Sequence, residues 1–413
     1  MSHVSISHGF KAVVMSSVLA LGLAACGGST GSGDGDGSGA IRIGTSLPLT
    51  GEFSQPGVAA EQGYQVWKEM VNESGGLLGR DVELVIKDDA SNQNTIVTDY
   101  NALIAQDKVD LLLGTFSSLL NLPASAVAEK NQMLFVEPAG GSPSMFDRGY
   151  KYLFFAQQAT ADKQGKVFAE YIAGLPEADR PKTAAYPTID DPFAAPNVNG
   201  IREILEAAGI ETVYQETYAI DTKNFDTIVN AMKSADPDLV VHGAVFEDGV
   251  GLVRAMLKAD FTSEWLYQTT APSLGAQYAD AIGVENTEGI IFAASYAPSA
   301  KTPGNTEFLA KYAELYDGAL PPEDAADAFA AGQVLQAAAE GVGSIDDQAA
   351  LAEWLRGNSV STILGDLEWD KRGAPTGDFL IGQWQGGQVE FVLPAEFASS
   401  DKPIAGWTPG SGN

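Results

Sequence analysis

The sequence predicts an α/β protein of two similarly built lobes, each an open parallel sheet flanked by helices. Three observations predict it. From residue 41 onward, short apolar strands alternate with amphipathic helices, the signature of parallel α/β structure. A second run of the same kind begins near Tyr152. The chain has 413 residues, too many for one ordinary domain and suited to two of roughly 150–190 residues.

In chain order, residues 41–47 (IRIGTSL) read as the first strand. Residues 57–72 read as a helix, because Tyr64, Trp67, Met70 and Val71 recur at helical spacing, and Gly75-Gly76 closes it. The second strand is 82–87 (VELVIK), followed by a helix at 95–107, a third strand at 109–113 (VDLLL), a helix at 119–131 and a fourth strand at 133–136. The second run opens on YLFF at 152–155 and continues with helices at 162–173, 197–208, 224–234 and 248–259. Between and after them lie strands at 182–186, 212–218, 238–242 and 265–268. After Glu288 the alternation changes to a strand at 290–296 and helices at 305–316, 325–341 and 348–356. Strands at 364–369 and 379–391 read as a terminal hairpin with Gly386-Gly387 at its turn, and 401–413 as an irregular tail. Open sheets of this kind bind ligands in loops beyond the carboxyl ends of their strands.

Composition removes several functions. The chain carries 54 acidic against 24 basic residues, a formal charge of −30, and no basic stripe. This charge argues against nucleic-acid binding and against long-range attraction to an anionic lipid surface. Among cysteines there is only Cys26, and the histidines are His3, His8 and His242. Past residue 25, one cysteine and one histidine remain, so neither an internal disulfide nor a Cys/His metal site can form. No nucleophile elbow, zinc-protease helix motif or phosphate-binding glycine loop occurs. The chain is read as no enzyme, with no cofactor. A carboxylate-pair hydrolase is the one enzymatic class that composition leaves open.

The N-terminus reads as an address. Lys11 precedes an apolar run of 14 residues, 12–25 (AVVMSSVLALGLAA), short for a membrane-spanning helix of ~20. It ends in Leu23-Ala24-Ala25-Cys26-Gly27, which resembles the lipobox of bacterial lipoproteins. Residues 1–25 are then a signal peptide, and 26–40 a lipidated Cys26 with a flexible Gly/Ser tether. An ordinary signal peptide with an incidental cysteine is the alternative. Either reading exports the protein. The lipid would hold it at the outer face of the cytoplasmic membrane or in the cell envelope.

Six segments in order extend the reading: IRIGTSLPLTG (41–51), NESGGLLGRDVELVIKDD (72–89), LIAQDKVDLLLGTFSS (103–118), EPAGGSP (137–143), NFDTIVNAMKSADPDLVV (224–241) and LGDLEWDKRGAPTGDF (364–379). Together they resemble the periplasmic leucine/isoleucine/valine-binding proteins and their amino-acid and amide-binding relatives. The resemblance implies a type I periplasmic binding protein fold whose lobes are joined by a three-crossover hinge. Lobe one would be 41–156 plus 297–365, and lobe two 157–296 plus 366–400. It further implies a monomer that captures a small solute by hinge closure and delivers it to the permease subunits of an ABC importer. A sensor signalling to a membrane receptor would use the same cleft.

Site residues follow from strand ends and from that resemblance. Gly114 to Ser118 (GTFSS) lies between a strand and a helix, so backbone N–H groups and the hydroxyls of Ser117 and Ser118 converge there beside Phe116 as an anion site. By resemblance, Ser118 stands at the family's carboxylate-binding serine. Ala139, Gly140, Gly141 and Ser142 form the second such loop, where Gly141 takes the place of a frequent threonine. Both segments can also be read as helix caps. In lobe two, Phe193 falls where relatives carry a tyrosine, and Phe246 near another family aromatic, with one residue of uncertainty in register. Gln268, Thr269 and Thr270 occupy the loop where amino-acid-binding relatives place a carboxylate for the ligand amine. That carboxylate is missing, and Glu247 or Asp248 could replace it or serve at the surface or as caps. Pro56 also replaces a common stacking tyrosine. The expected solute therefore has a carboxylate or comparable polar head, with its amine optional. His242 reads as a packed, hydrogen-bonded histidine. Changing Cys26→Ser should move the protein from the membrane fraction to the soluble fraction or block its processing; unchanged fractionation refutes the lipid anchor.

Overall fold

The strands form where apolar residues must cover both faces of a sheet. The computed structural model describes residues 39–395, 398–400 and 404–410. Cys26, the signal stretch and most of the tether lie outside the described residues. The first sheet has the order β2-β1-β3-β4-β5, all parallel, from β1 (Ile41–Leu47), β2 (Val82–Asp88), β3 (Leu111–Leu113), β4 (Phe135–Glu137) and β5 (Leu153–Phe155). Helices α1 (Ser54–Glu73), α2 (Gln93–Ala105), α3 (Ser118–Lys130) and α4 (Pro143–Phe146) connect them. Leu111 and Leu113 join one buried cluster while Leu112 joins another, and Phe154 parts in the same way from Leu153 and Phe155. This two-residue period with both faces apolar is what a sheet covered on both sides requires.

The chain then crosses to a second sheet through α5 (Ala161–Gln164) and α6 (Lys166–Gly174). One helix was expected at 162–173. It breaks at Gly165, where Ile201 passes so close that a Cβ would lie 2.3 Å from its Cδ1. Parallel strands β6 (Thr183–Ile189), β7 (Glu211–Tyr218), β8 (Leu239–His242), β9 (Trp265–Gln268) and β10 (Ile291–Ala294) follow. They are linked by α7 (Ala194–Ala207), α8 (Asp226–Ala235), α9 (Phe246–Lys258) and α10 (Ala276–Ile282). Val240, Leu266 and Phe292 again bury on one face and their sequence neighbours on the other.

After β10 the chain returns to the first sheet as α11 (Asn305–Leu315), α12 (Glu323–Val342) and α13 (Gln348–Gly357). α12 lies directly on α1. A Cβ at Gly63 would sit 2.0 Å from the Ala325 carbonyl oxygen, and one at Gly332 would sit 2.4 Å from the Trp67 ring. The terminal hairpin differs from the sequence reading. Gly386 and Gly387, both at positive φ, turn the chain within 379–391, giving β13 (Leu380–Gln385) and β14 (Gln388–Leu393). The 364–369 segment instead pairs backward, as β12 (Gly365–Leu367) with β11 (Val360–Thr362). β13 adds to β10 antiparallel, so the second sheet has the order β14-β13-β10-β9-β8-β6-β7.

The chain thus passes between the sheets three times: after β5, after β10 and after β12. Gln158 joins all three passages. Its Nε2 donates to the Ser295 carbonyl at 2.8 Å and the Leu364 carbonyl at 3.1 Å, and its own carbonyl accepts from Gly377 N at 2.8 Å. Farther out, Lys223 in the loop after β7 donates to both carboxylate oxygens of Glu52 in the loop after β1, at 2.6 and 2.7 Å.

Gly63→Ala should cost about 1–3 kcal/mol, because the Ala325 backbone must move to admit the methyl group. Gly174→Ala, with open space around its Cβ, should be neutral. Urea midpoints of the two variants check this, and equal midpoints refute the close helix contact.

Candidate functional site: a cavity between the two sheets

Loops beyond the carboxyl ends of strands from both sheets meet around a partly open cavity. From the first sheet come Phe116 and Ser117 after β3, and Ala139 after β4; Phe155 ends β5 and Gln157 follows it. Facing them are Asp191 and Phe193 after β6, Val245 after β8, and Thr269, Thr270 and Ser273 after β9. Gln164, Ala293 and Phe379 complete the wall with three residues of the first turns of α12: Glu323, Asp324 and Asp327.

The loops of the first sheet are locked before any solute arrives. Phe116 and Ala139 pair across an isolated parallel bridge that extends β3 and β4. Ser142 N donates to Ser118 Oγ at 2.9 Å, and Ala161 N to the Gly141 carbonyl at 2.7 Å. Glycine is required at 114 and 140 because Glu137 packs against both; Cβ atoms there would lie 2.2 Å from its Cβ and 2.7 Å from its carboxylate oxygen. Ser117, at the N-terminus of α3, is held at φ 69°, ψ 148°. That region is nearly confined to glycine and costs about 1–3 kcal/mol for another residue. Its hydroxyl is buried without a partner. A strained serine presenting a free hydroxyl beside helix N–H groups is arranged for an anion.

Of the twelve sequence-selected residues, Phe116, Ser117, Ala139, Phe193, Thr269 and Thr270 line the cavity. Ser118, Gly140, Gly141 and Ser142 stand behind it and fasten the loops. Phe246 opens α9, while its neighbour Val245 faces the cavity, a displacement of one residue. Thr269 spends its hydroxyl on the Ala244 backbone.

Gln268 belongs to a buried network behind the wall. Its Oε1 accepts from Tyr278 Oη at 2.6 Å and its Nε2 donates to the Gly249 carbonyl at 3.0 Å, which fixes the amide. The same Nε2 lies 2.9 Å from His242 Nδ1 and must donate to it, since an amide nitrogen cannot accept. The histidine proton is then on Nε2, donated to Tyr218 Oη at 2.7 Å, and Tyr218 donates to Asp248 Oδ2 at 2.5 Å. Burial lowers the His242 pKa to about 3, so the ring is neutral. Asp248 also accepts from Val245 N at 2.9 Å; it caps α9 and does not reach the cavity, and Glu247 is exposed. The expected substitute for the missing carboxylate is therefore at neither position.

The cavity nevertheless has four carboxyl groups, and no Lys, Arg or His lines it among the described residues. Asp191 Oδ1 caps α7 through Phe193 N and Ala194 N, at 2.8 and 3.3 Å, and its Oδ2 has no partner; Asp324 Oδ2 has none either. Ser295 Oγ lies 2.5 Å from Glu323 Oε1 and 2.6 Å from Asp327 Oδ1. A hydroxyl has one hydrogen, so the second contact needs a proton on one of the two carboxyls. Gln157 Nε2 donates to Asp327 Oδ2 at 2.6 Å. Desolvation raises the pKa of all four carboxyls. Sequence reading missed the α12 acids. Their spacing, 323, 324 and 327, marks one helical face, but acids in a first turn also simply complement the helix dipole.

Burial raises the Asp248 pKa to about 6. Unfolded, the group titrates near ~4, so between these values the folded state holds more protons and stability falls as pH rises. Asp248→Asn, which cannot ionise, should gain about 2–3 kcal/mol on the native protein between pH 4 and pH 8. Urea midpoints of both at the two pH values test this, and a constant difference refutes it.

Comparison with known proteins gives one consistent result. A family model described as periplasmic binding protein matches residues 40–388. An amino acid binding protein of Pseudomonas aeruginosa is 27% identical over 344 residues, covering 83% of this chain and 89% of that protein. A branched-chain amino acid transporter substrate binding protein from Streptococcus pneumoniae, in complex with isoleucine, superposes with a TM-score of 0.75 at 20% identity, covering 86% of this chain and 100% of that one. The solute binding protein of an ABC transporter from R. palustris, in complex with benzoate, gives 0.74 at 21% identity, covering 89% and 99%.

Proposed function

The chain belongs to the periplasmic binding protein family, of the leucine/isoleucine/valine-binding type, and from that premise we propose that it captures a small carboxylate-bearing solute for an ABC importer. The observation that carries this reading is the cavity itself, walled from both sheets by strand-end loops. A solute held there touches both lobes at once, and so favours the closed arrangement over the open one. The moving bodies are 41–156 plus 297–365 and 157–296 plus 366–400, with Gln158 at their junction. An importer that prefers the closed form then receives loaded protein. Export and a lipid on Cys26 would keep the chain beside that importer.

The anion end of the solute sits at Ser117 and the N-terminus of α3. Two structural neighbours of this fold are in complex with isoleucine and with benzoate, which share only a carboxylate and an apolar body. Phe116, Phe155, Phe193 and Phe379 supply an apolar surface in this cavity. The protein binds its solute without transforming it.

A thermal-shift panel of amino acids, amides, aromatic acids and short carboxylates identifies the solute; ligand at 100 times its Kd adds ~2.7 kcal/mol of stability. Scattering at saturation should then show a smaller radius of gyration. Ser117→Gly should raise the ligand-free midpoint, by relieving about 1–3 kcal/mol of backbone strain, and weaken binding at least tenfold. An unchanged radius, or undiminished affinity in that variant, refutes the reading.

A further inference from the structure

We propose that the captured solute is net cationic, an organic molecule with more ammonium or guanidinium groups than carboxylates, seated on Asp191, Asp324, Glu323 and Asp327. The inference rests on the solute-capture reading and specifies its substrate class. Its first support is the wall itself: four carboxyl groups, one proton held between Glu323 and Asp327, and no lining base among the described residues. A zwitterion brings no net charge into such a site, and its own carboxylate adds to the repulsion. A buried carboxyl without counter-charge is ionised only at high cost and holds its proton more tightly, whereas a cationic partner with well-placed N–H donors offsets part of that cost.

The second support is independent of charge counting. Asp191 Oδ2 and Asp324 Oδ2 have no hydrogen-bond partner, although their residues are only 2% and 6% exposed and both line the cavity. Buried acceptors are almost always satisfied, so two open ones on a shared cavity mark the place of a missing donor. They also come from opposite sides, one from the loop after β6 and one from α12. A cationic group bridging them would draw the two lobes together.

Helix capping does not account for the acids of α12. The partners of Glu323 and Asp327 are Ser295 and Gln157, on other segments. Nor does a metal: no cluster among the described residues is arranged to hold one. Ammonium and guanidinium groups remain, each bearing several N–H donors for open carboxyl oxygens.

Calorimetry on the exported chain at pH 7.5 with lysine, arginine, 1,4-diaminobutane, leucine and 4-methylpentanoate tests the proposal. Lysine, arginine or the diamine should bind at least tenfold tighter than leucine, and 4-methylpentanoate should not compete. Asp324→Asn and Asp191→Asn should each weaken the cationic ligand tenfold or more. Each should leave the ligand-free melting temperature unchanged or higher, which separates loss of the site from loss of the fold. Leucine binding as tightly as lysine, or cation binding indifferent to both substitutions, overturns the inference and leaves solute capture standing. Silence from all five compounds overturns the inference and leaves the capture reading to the wider thermal-shift panel.

Discussion

Ser295 stands where the second passage between the sheets leaves β10, and two other parts of the molecule converge on it. Its carbonyl accepts from Gln158, which also holds the β11–β12 turn at Leu364 and the third passage at Gly377. Its hydroxyl contacts Glu323 and Asp327, and Asp327 accepts in turn from Gln157, the neighbour of Gln158. One network therefore contains both the junction of the lobes and the acidic wall of the cavity. The network stays in register because α12 cannot slide: Gly63 and Gly332 seat it on α1 at backbone distance.

Two buried polar clusters lie close together and are built on opposite terms. Behind the wall, Gln268, His242, Tyr218 and Asp248 satisfy one another in a chain with a fixed proton direction. Such a chain makes the carboxyl ends of β8 and β9 rigid. At the wall, Asp191 and Asp324 are left with open oxygens, and Ser117 with an open hydroxyl and a strained backbone. The first arrangement stabilises the fold. The second lowers stability and is tolerated where binding can restore what is missing.

Much of this was legible in the sequence where burial writes a period. The central strands read correctly because both faces are apolar, and the GTFSS segment because a strand, a glycine and two hydroxyls precede a helix. Where local signals are shared by two structures, reading stopped. The acids at 323, 324 and 327 look like any first helical turn, and only the return of the chain to the first sheet turns them into the cavity. Gln268 looked like a vacancy for an acid, yet it is a strut whose partners lie at His242, Gly249 and Tyr278. The φ of Ser117 has no sequence signature at all, since nothing local favours it. The terminal hairpin was misdrawn because two apolar stretches near Gly386-Gly387 were joined, while the turn lay inside one of them.

The Lys223–Glu52 pair gives the molecule a sensitivity to its surroundings. It joins a loop of one sheet to a loop of the other and is half open to water, with side-chain exposures of 64% and 29%. An ion pair of that kind contributes about 0–1 kcal/mol and fades as the Debye length shrinks from about 10 Å at 0.1 M salt to 3 Å at 1 M. Its bias on an empty cleft is then at most about fivefold in population. Because apparent affinity scales with the competent fraction, concentrated salt would act as a volume control on the proposed closure: it would turn down how readily these two loops stay together, without touching a single atom of the cavity.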